Sequence, residues 1–230
     1  SPAALDLLTL AAHLGPEPIP LTLFTTHPDQ LPGPLSAAAR DPLAFTDLTQ
    51  QLRRRALARV DPDTLQLHRL IAALLRARPP DQPTHRPLRT RLRAAFQRSQ
   101  PGNQPDMPTR AVRLLRAAVP PDPWNNPPTW SEWRQLLPHV LTATDPSNPL
   151  DPAMDTLSWL LNCGATYLLT RGEPAAAQPL LERALGLDRA ARGETHPSTL
   201  ASVNNLAGAL RALGHEDEAN ELEEWVRSRR

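Results

Sequence analysis

Leu161-Asn162-Cys163-Gly164-Ala165-Thr166-Tyr167-Leu168 and Val203-Asn204-Asn205-Leu206-Ala207-Gly208-Ala209-Leu210 are two copies of one pattern, 42 residues apart. The same offset pairs Gly172 with Gly214, Ala177 with Ala219 and Leu180 with Leu222, without a gap. A fixed period of this size signals stacked supersecondary units. Each unit reads helix–turn–helix. Leu157, Leu161, Gly164, Ala165 and Leu168 recur at helical spacing. Gly172 stands where that helix must end and the chain reverse. Pro174 opens the second helix, where a missing N–H costs nothing. Ala177, Leu180, Leu181, Ala184 and Leu185 give that helix one apolar stripe. The pattern predicts helices over 156–171, 174–189, 197–212 and 216–228, with the loop 192–197 ordered between the two units.

These residues resemble a tetratricopeptide repeat of the longer type found in kinesin light chains. The matching positions are Leu161, Gly164, Ala165, Leu168, Gly172, Ala177, Leu181 and Ala184 in the first copy. In the second they are Val203, Leu206, Ala207, Leu210, Gly214, Ala219 and Val226. Small residues at Ala165, Ala177, Ala207 and Ala219 let helix backbones approach closely. Glu223 departs from the pattern, standing where the first copy has Leu181, so nothing need stack beyond it. The resemblance implies a concave face that binds an extended peptide. Asn162 and Asn204 are equivalent on the first helices, and Asn205 follows. Asparagine is a poor helix former, and its amide both donates and accepts. The three either contact a peptide or partner, or bridge neighbouring helices internally.

The 230 residues suffice for one large or two small domains. The 28 prolines exclude one long helical bundle and predict many helices with proline-marked ends. All basic residues are Arg, and none is Lys. Net charge is +1, too small to mark the whole chain as a polyanion binder. Its distribution is uneven: residues 53–98 carry 12 Arg against Asp61, Asp63 and Asp81, whereas residues 145–230 carry 13 acids against 8 Arg. The single cysteine, Cys163, excludes an internal disulfide framework and sits in an apolar helix stripe. With no signal-peptide pattern and no apolar run long enough for a bilayer, a cytoplasmic location is expected. The opening on a helix-like stretch from Pro2 is expected of a fragment of a longer protein.

The chain divides into 1–80, 81–150 and 151–230. In the first block Ala3–Leu14 reads as a helix stopped by Gly15-Pro16, and 19–24 as a short apolar segment suited to a second helix. Pro32-Gly33-Pro34 reads as a break. Asp41-Pro42 starts a helix carried by Leu43, Phe45, Leu48, Leu52 and Ala56 to about Arg59. Asp61-Pro62-Asp63-Thr64 is a turn between short strands at 57–60 and 65–68, followed by a helix through Leu70, Ile71, Leu74 and Leu75. This order resembles the winged-helix domain that follows the nucleotide-binding core in bacterial NB-ARC signalling ATPases of the STAND class, on the residues Leu65-Gln66-Leu67-His68-Arg69-Leu70. The resemblance implies that His68 contacts the β-phosphate of ADP in a longer parent protein. Arg69 replaces the family's Asp. Read without the resemblance, His68 is an ordinary histidine at a strand end. In the middle block, Leu88–Arg98 reads as a short helix, Gln100–Pro108 as a polar loop, and Ala111, Leu114, Leu115 and Ala118 as one helix. Trp130, Trp133, Leu137, Val140 and Leu141 mark another, with a kink or break at Pro138. Ala111-Val112-Arg113-Leu114-Leu115 and Leu136-Leu137-Pro138-His139-Val140-Leu141 resemble the irregular helical segment joining winged helix to repeats in such ATPases. Trp124, Trp130 and Trp133 read as packing anchors there.

The expected fold is therefore mainly α: a winged-helix domain with a small β-hairpin, a helical linker and a tetratricopeptide-repeat solenoid. A phosphate-cradling loop needs Lys, so the chain lacks that route to nucleotide hydrolysis. The seven His have no metal-ligand spacing, and no nucleophile elbow occurs. The reading is a non-catalytic regulatory region of a STAND-type ATPase. It needs no cofactor or metal itself; ADP or ATP belongs to the suspected parent. Its implied partners are that parent's nucleotide-binding core and a protein or peptide on the repeats. Two alternatives remain: a free-standing peptide-binding scaffold, and a winged-helix DNA-binding regulator. Against the latter, Arg53, Arg54 and Arg55 are consecutive and cannot form one groove-reading face, so nucleic acid is a disfavoured partner.

Overall fold

The computed structural model describes residues 1–77, 106–124, 126–148 and 154–229. The helix expected at 88–98 lies outside the described residues. Eleven α-helices and a three-stranded sheet make up the described fold.

The first helix, α1 (Pro2–Leu14), starts on a Ser1 side-chain cap with proline in its first turn and ends at Gly15, φ 107°. Gly15 is required on two counts. Its φ disfavours any L side chain, and an added Cβ would lie 2.7 Å from Thr142 Oγ1. Strand β1 (Ile19–Pro20) and helix α2 (Thr22–Thr26) divide the segment that apolarity alone suggested was one helix. Two residues are too few for a period to be read. Pro20 is tolerated because β1 is an edge strand. Pro32-Gly33-Pro34, expected as a break, instead initiates α3 (Gly33–Arg40), with the proline in the first turn.

Helix α4 (Pro42–Arg54) is capped by Asp41, whose carboxylate accepts from the amides of Leu43 and Ala44. It stops five residues short of Arg59. Ala56 turns the chain with φ 51°, and β2 (Ala58–Val60) then pairs antiparallel with β3 (Thr64–Leu67). The sheet order is β1-β3-β2, with Ile19 opposite Leu65 and Ala58 opposite Leu67. This register buries Leu65 and Leu67 on the face toward α1, which sets where the helix must yield to strand. Helix α5 (Arg69–Arg76) follows.

Helix α6 (Met107–Ala118) begins on an Asp106 cap, so its first two residues fall in the stretch expected as a polar loop; residues 100–105 of that stretch lie outside the described residues. Helix α7 (Trp130–Ala143) runs through Pro138 without a break. Both pack on α1. One apolar core extends from Leu7 and Phe24 through Leu114 and Trp133 to Leu160 and Tyr167. Trp133 is fully buried and stacks on Tyr167, ring centroids 5.9 Å apart, an arrangement contributing roughly 0.5–1.5 kcal/mol beyond burial.

The C-terminal region is two helical hairpins: α8 (Met154–Thr170) with α9 (Pro174–Arg192), and α10 (Pro197–Ala212) with α11 (Glu216–Arg227). Their ends agree with the periodic pattern to within three residues. The turns are equivalent: Glu173 N–H bonds Leu168 O at 3.0 Å and His215 N–H bonds Leu210 O at 2.9 Å. Gly172 and Gly214 supply the left-handed residue each turn needs, at φ 74° and 84°. Ala165, Ala177, Ala207 and Ala219 are all buried in the second core, as the close backbone approach predicts. Leu137 of α7 touches both cores. Glu223 bonds Arg211 Nη1 at 2.7 Å, and that hydrogen bond holds its carboxyl below the usual range.

Candidate functional site

The first helices of the two hairpins, α8 and α10, form two walls of an open groove of about 670 Å³. Ser158, Asn162 and Thr166 line it from α8; Asn204, Asn205 and Gly208 line it from α10. The third wall is not part of a repeat. It is the proline-rich segment 119–124, which connects α6 toward α7. Three side chains pin this segment through backbone carbonyls. Trp133 Nε1 donates to Pro120 O at 3.2 Å, Trp130 Nε1 to Pro123 O at 2.8 Å, and Cys163 Sγ to Pro121 O at 3.6 Å. Proline suits this use, since it holds an extended backbone and leaves its carbonyl free to accept. Trp130 and Trp133 are thus anchors, as expected. Trp124 differs: it is 54% exposed and lines the groove.

Beneath the groove lies a buried polar cluster with no apolar signature to reveal it. Asp188 of α9 is 2% exposed. Its Oδ1 accepts from Ser158 Oγ at 2.7 Å and its Oδ2 from Ser202 Oγ at 2.6 Å, tying α9 to α8 and α10. Arg192 stands 3.5 Å from Asp188 and 3.0 Å from Asp155. Asn162 joins the same cluster: its Nδ2 donates to Ser158 O at 3.0 Å and Ser202 Oγ at 2.8 Å, and its Oδ1 accepts from Asn205 Nδ2 at 3.1 Å. The three asparagines therefore all line the groove but divide in role. The Asn162 amide is committed internally, and Asn205 donates to it. Asn204 is exposed and makes no hydrogen bond among the described residues, leaving its amide open to a ligand. Ser158 and Ser202 are not related by the 42-residue offset, so the repeat pattern did not mark them.

His68 lies in a second pocket, of about 610 Å³, at the end of the sheet with Glu17, Arg59 and Arg69. Its Nδ1 accepts from Leu70 N–H at 3.3 Å and caps α5. The ring hydrogen is then on Nε2, a donor. His196 caps α10 in the same manner, accepting from Ser198 N–H at 3.2 Å. Arg53, Arg54 and Arg55 are exposed around the end of α4.

Cys163 is buried, and burial pushes its thiol up to about 12. Such a group stays protonated at neutral pH and is not an activated nucleophile. Among the described residues no group of three or more His, Cys, Asp or Glu could hold a metal ion, and no helix is long and apolar enough to cross a membrane.

The comparisons with known proteins find tetratricopeptide repeats. The tetratricopeptide repeat family model matches residues 155–230. The human protein "Tetratricopeptide repeat protein 19, mitochondrial" is 40% identical over 63 residues, 27% of this chain. Its rat and mouse counterparts are 40% and 38% identical over the same length. The matched segment spans only 17% of those relatives. No solved structure matches the chain. Residues 155–230 are thus a tetratricopeptide repeat region, a helical scaffold of the kind that serves protein–protein interaction, and α8–α11 are its two hairpins.

Proposed function

We propose that this chain is a non-catalytic interaction module whose repeats hold an extended segment of a protein partner in the groove between α8, α10 and the segment 119–124. The observation that carries this is the open groove on the first helices of two matched repeats. Its walls combine apolar surface with the open amide of Asn204, the combination that binds a peptide through its backbone and reads its side chains. Gly208 provides a clean test. It lies on the groove and an added Cβ there meets nothing within 4 Å. Gly208→Phe therefore fills the groove without disturbing the core. Peptides selected from a random library on the wild-type protein should lose at least tenfold in affinity for Gly208→Phe, with an unfolding midpoint no lower than that of the wild type. Equal affinity for the two proteins refutes the groove as the binding site.

The pocket around His68 favours a second, finer reading, in which this module regulates a STAND-type ATPase. The helix–sheet unit would close, in winged-helix fashion, on the nucleotide of a core elsewhere in the protein. His68 Nε2–H, Arg59 and Arg69 are donors suited to a phosphate. In the full-length protein His68→Ala should speed ADP dissociation; an unchanged rate leaves His68 only its cap on α5.

A further inference from the structure

The groove contains two indoles in different states. Arg116 lies over the Trp159 ring, its guanidinium carbon 3.4 Å from the centroid, so the cation-attracting face of that indole is already occupied. Trp124 is exposed on the same groove, and among the described residues no cation stands over it. The neighbouring charges are equally divided. Arg192, the one guanidinium that lines the groove among the described residues, is engaged by Asp188 and Asp155. Asp122 is exposed, lines the groove and makes no ion pair among the described residues; its Oδ1 accepts the backbone N–H of Trp124 at 3.1 Å. That bond holds a carboxylate with no ion partner among the described residues two positions from the exposed indole, both on the same groove and on a backbone pinned at Pro120, Pro121 and Pro123. An aromatic face next to a carboxylate attracts a cation both through the ring quadrupole and through charge. Because the backbone is already fixed, little ordering entropy opposes that use.

We infer that the groove selects its peptide by one basic side chain, Arg or Lys, seated on Trp124 with Asp122 as its counter-charge. This deepens the groove reading and rests on it. The Arg116–Trp159 pair is a contact of the same kind made within the chain. Neither Trp124 nor Asp122 supports the core, so both can be changed without loss of the fold.

The probe is a random dodecapeptide display library, selected in parallel on the wild-type protein, Trp124→Ala, Asp122→Asn and Gly208→Phe. Unfolding midpoints of the three variants should be no lower than that of the wild type. The expected result is a basic residue enriched at one fixed position on the wild type. Synthetic versions with that residue replaced by Gln should bind about tenfold more weakly, the size of a partly desolvated cation–π contact with its counter-ion. That tenfold difference should vanish on Trp124→Ala and shrink on Asp122→Asn. Selected peptides that lack a basic preference but still lose binding to Gly208→Phe overturn this inference and leave the groove reading intact. Peptides that bind Gly208→Phe as well as wild type, or no enrichment on any protein, overturn both.

Discussion

Replacing Asp188 by Ala should be the most damaging single change in the repeats. The carboxylate is 2% exposed and takes hydrogen bonds from two hydroxyls at 2.7 and 2.6 Å, with Arg192 at 3.5 Å. Its loss strands Ser158 and Ser202, which are 2% and 0% exposed, without their acceptor. Hydrogen bonds to a charged group contribute about 1.5–3 kcal/mol each, and removing one member of a buried charged cluster costs about 3–5 kcal/mol. The lower figure counts the hydroxyls' freedom to rotate toward other acceptors, as Ser158 already does toward Asp155 O at 3.3 Å. For a chain of this size, a loss of about 3–5 kcal/mol lowers the melting midpoint by roughly 6–20 °C. Urea denaturation followed by circular dichroism gives the equilibrium value. Asp188→Asn should cost less, since one amide oxygen still accepts from a hydroxyl. A cycle with Ser158→Ala and Ser202→Ala should show coupling of about 1–3 kcal/mol. An Asp188→Ala cost under about 1 kcal/mol, or additive effects in the cycle, refutes the argument that this cluster clamps α8, α9 and α10 together.

Gly208→Ala should raise stability by about 0.5–1 kcal/mol in urea denaturation, because Gly208 is mid-helix and its Cβ meets open space. Gly15→Ala should lower it by about 1–3 kcal/mol, given the left-handed backbone there and the contact with Thr142; adding Thr142→Ala should restore only part. Burial lowers the pKa of both His13 and His139 from the usual 6.5. The unfolded chain therefore binds these protons more readily, so stability is full above about pH 6.5 and falls as pH drops below it. Unfolding free energies measured from pH 7.5 to 5 should decline, and a flat profile rules this out.

The repeats were legible because their signal is redundant. Gly172 and Gly214, the four interface alanines and the leucine stripes recur at one offset, and each recurrence answers the same packing need. The N-terminal block was legible where chemistry is local, as in the Asp41 cap and the turn at Asp61–Thr64. It was illegible where tertiary pairing decides. Nothing local separates β1 from α2; pairing of Ile19 with Leu65 does. Pro34 and Pro138 are ambiguous in sequence because proline can open, break or sit within a helix. The groove's asparagines were visible through Asn162 and Asn204, yet only three-dimensional neighbours separate an amide committed to Ser202 from one that faces outward. Asp188 and the segment 119–124 carry no periodic mark, since their roles arise from contacts between different elements, 7 to 42 residues apart.

A series of contacts runs between the two pockets. His139 is fully buried in α7, with Nδ1 2.8 Å from Leu14 O and Nε2 3.3 Å from Pro18 O; the neutral ring donates to one carbonyl and packs against the other, touching both the end of α1 and the approach to β1. Pro16 and Glu17, between those carbonyls, line the His68 pocket. Beyond His139, α7 places Leu137 against both cores and Trp130 and Trp133 on the groove's third wall. A path of packed side chains therefore runs from one pocket to the other. Contact alone does not make that path a switch. A peptide shifts the sheet end only if it binds two arrangements of α7 with different free energies, and by no more than that difference. Reciprocity then requires that a ligand at the His68 pocket change peptide affinity by the same factor. Substituting His139 should weaken that coupling more than it weakens either binding event, because His139 touches neither ligand and joins the elements that hold both.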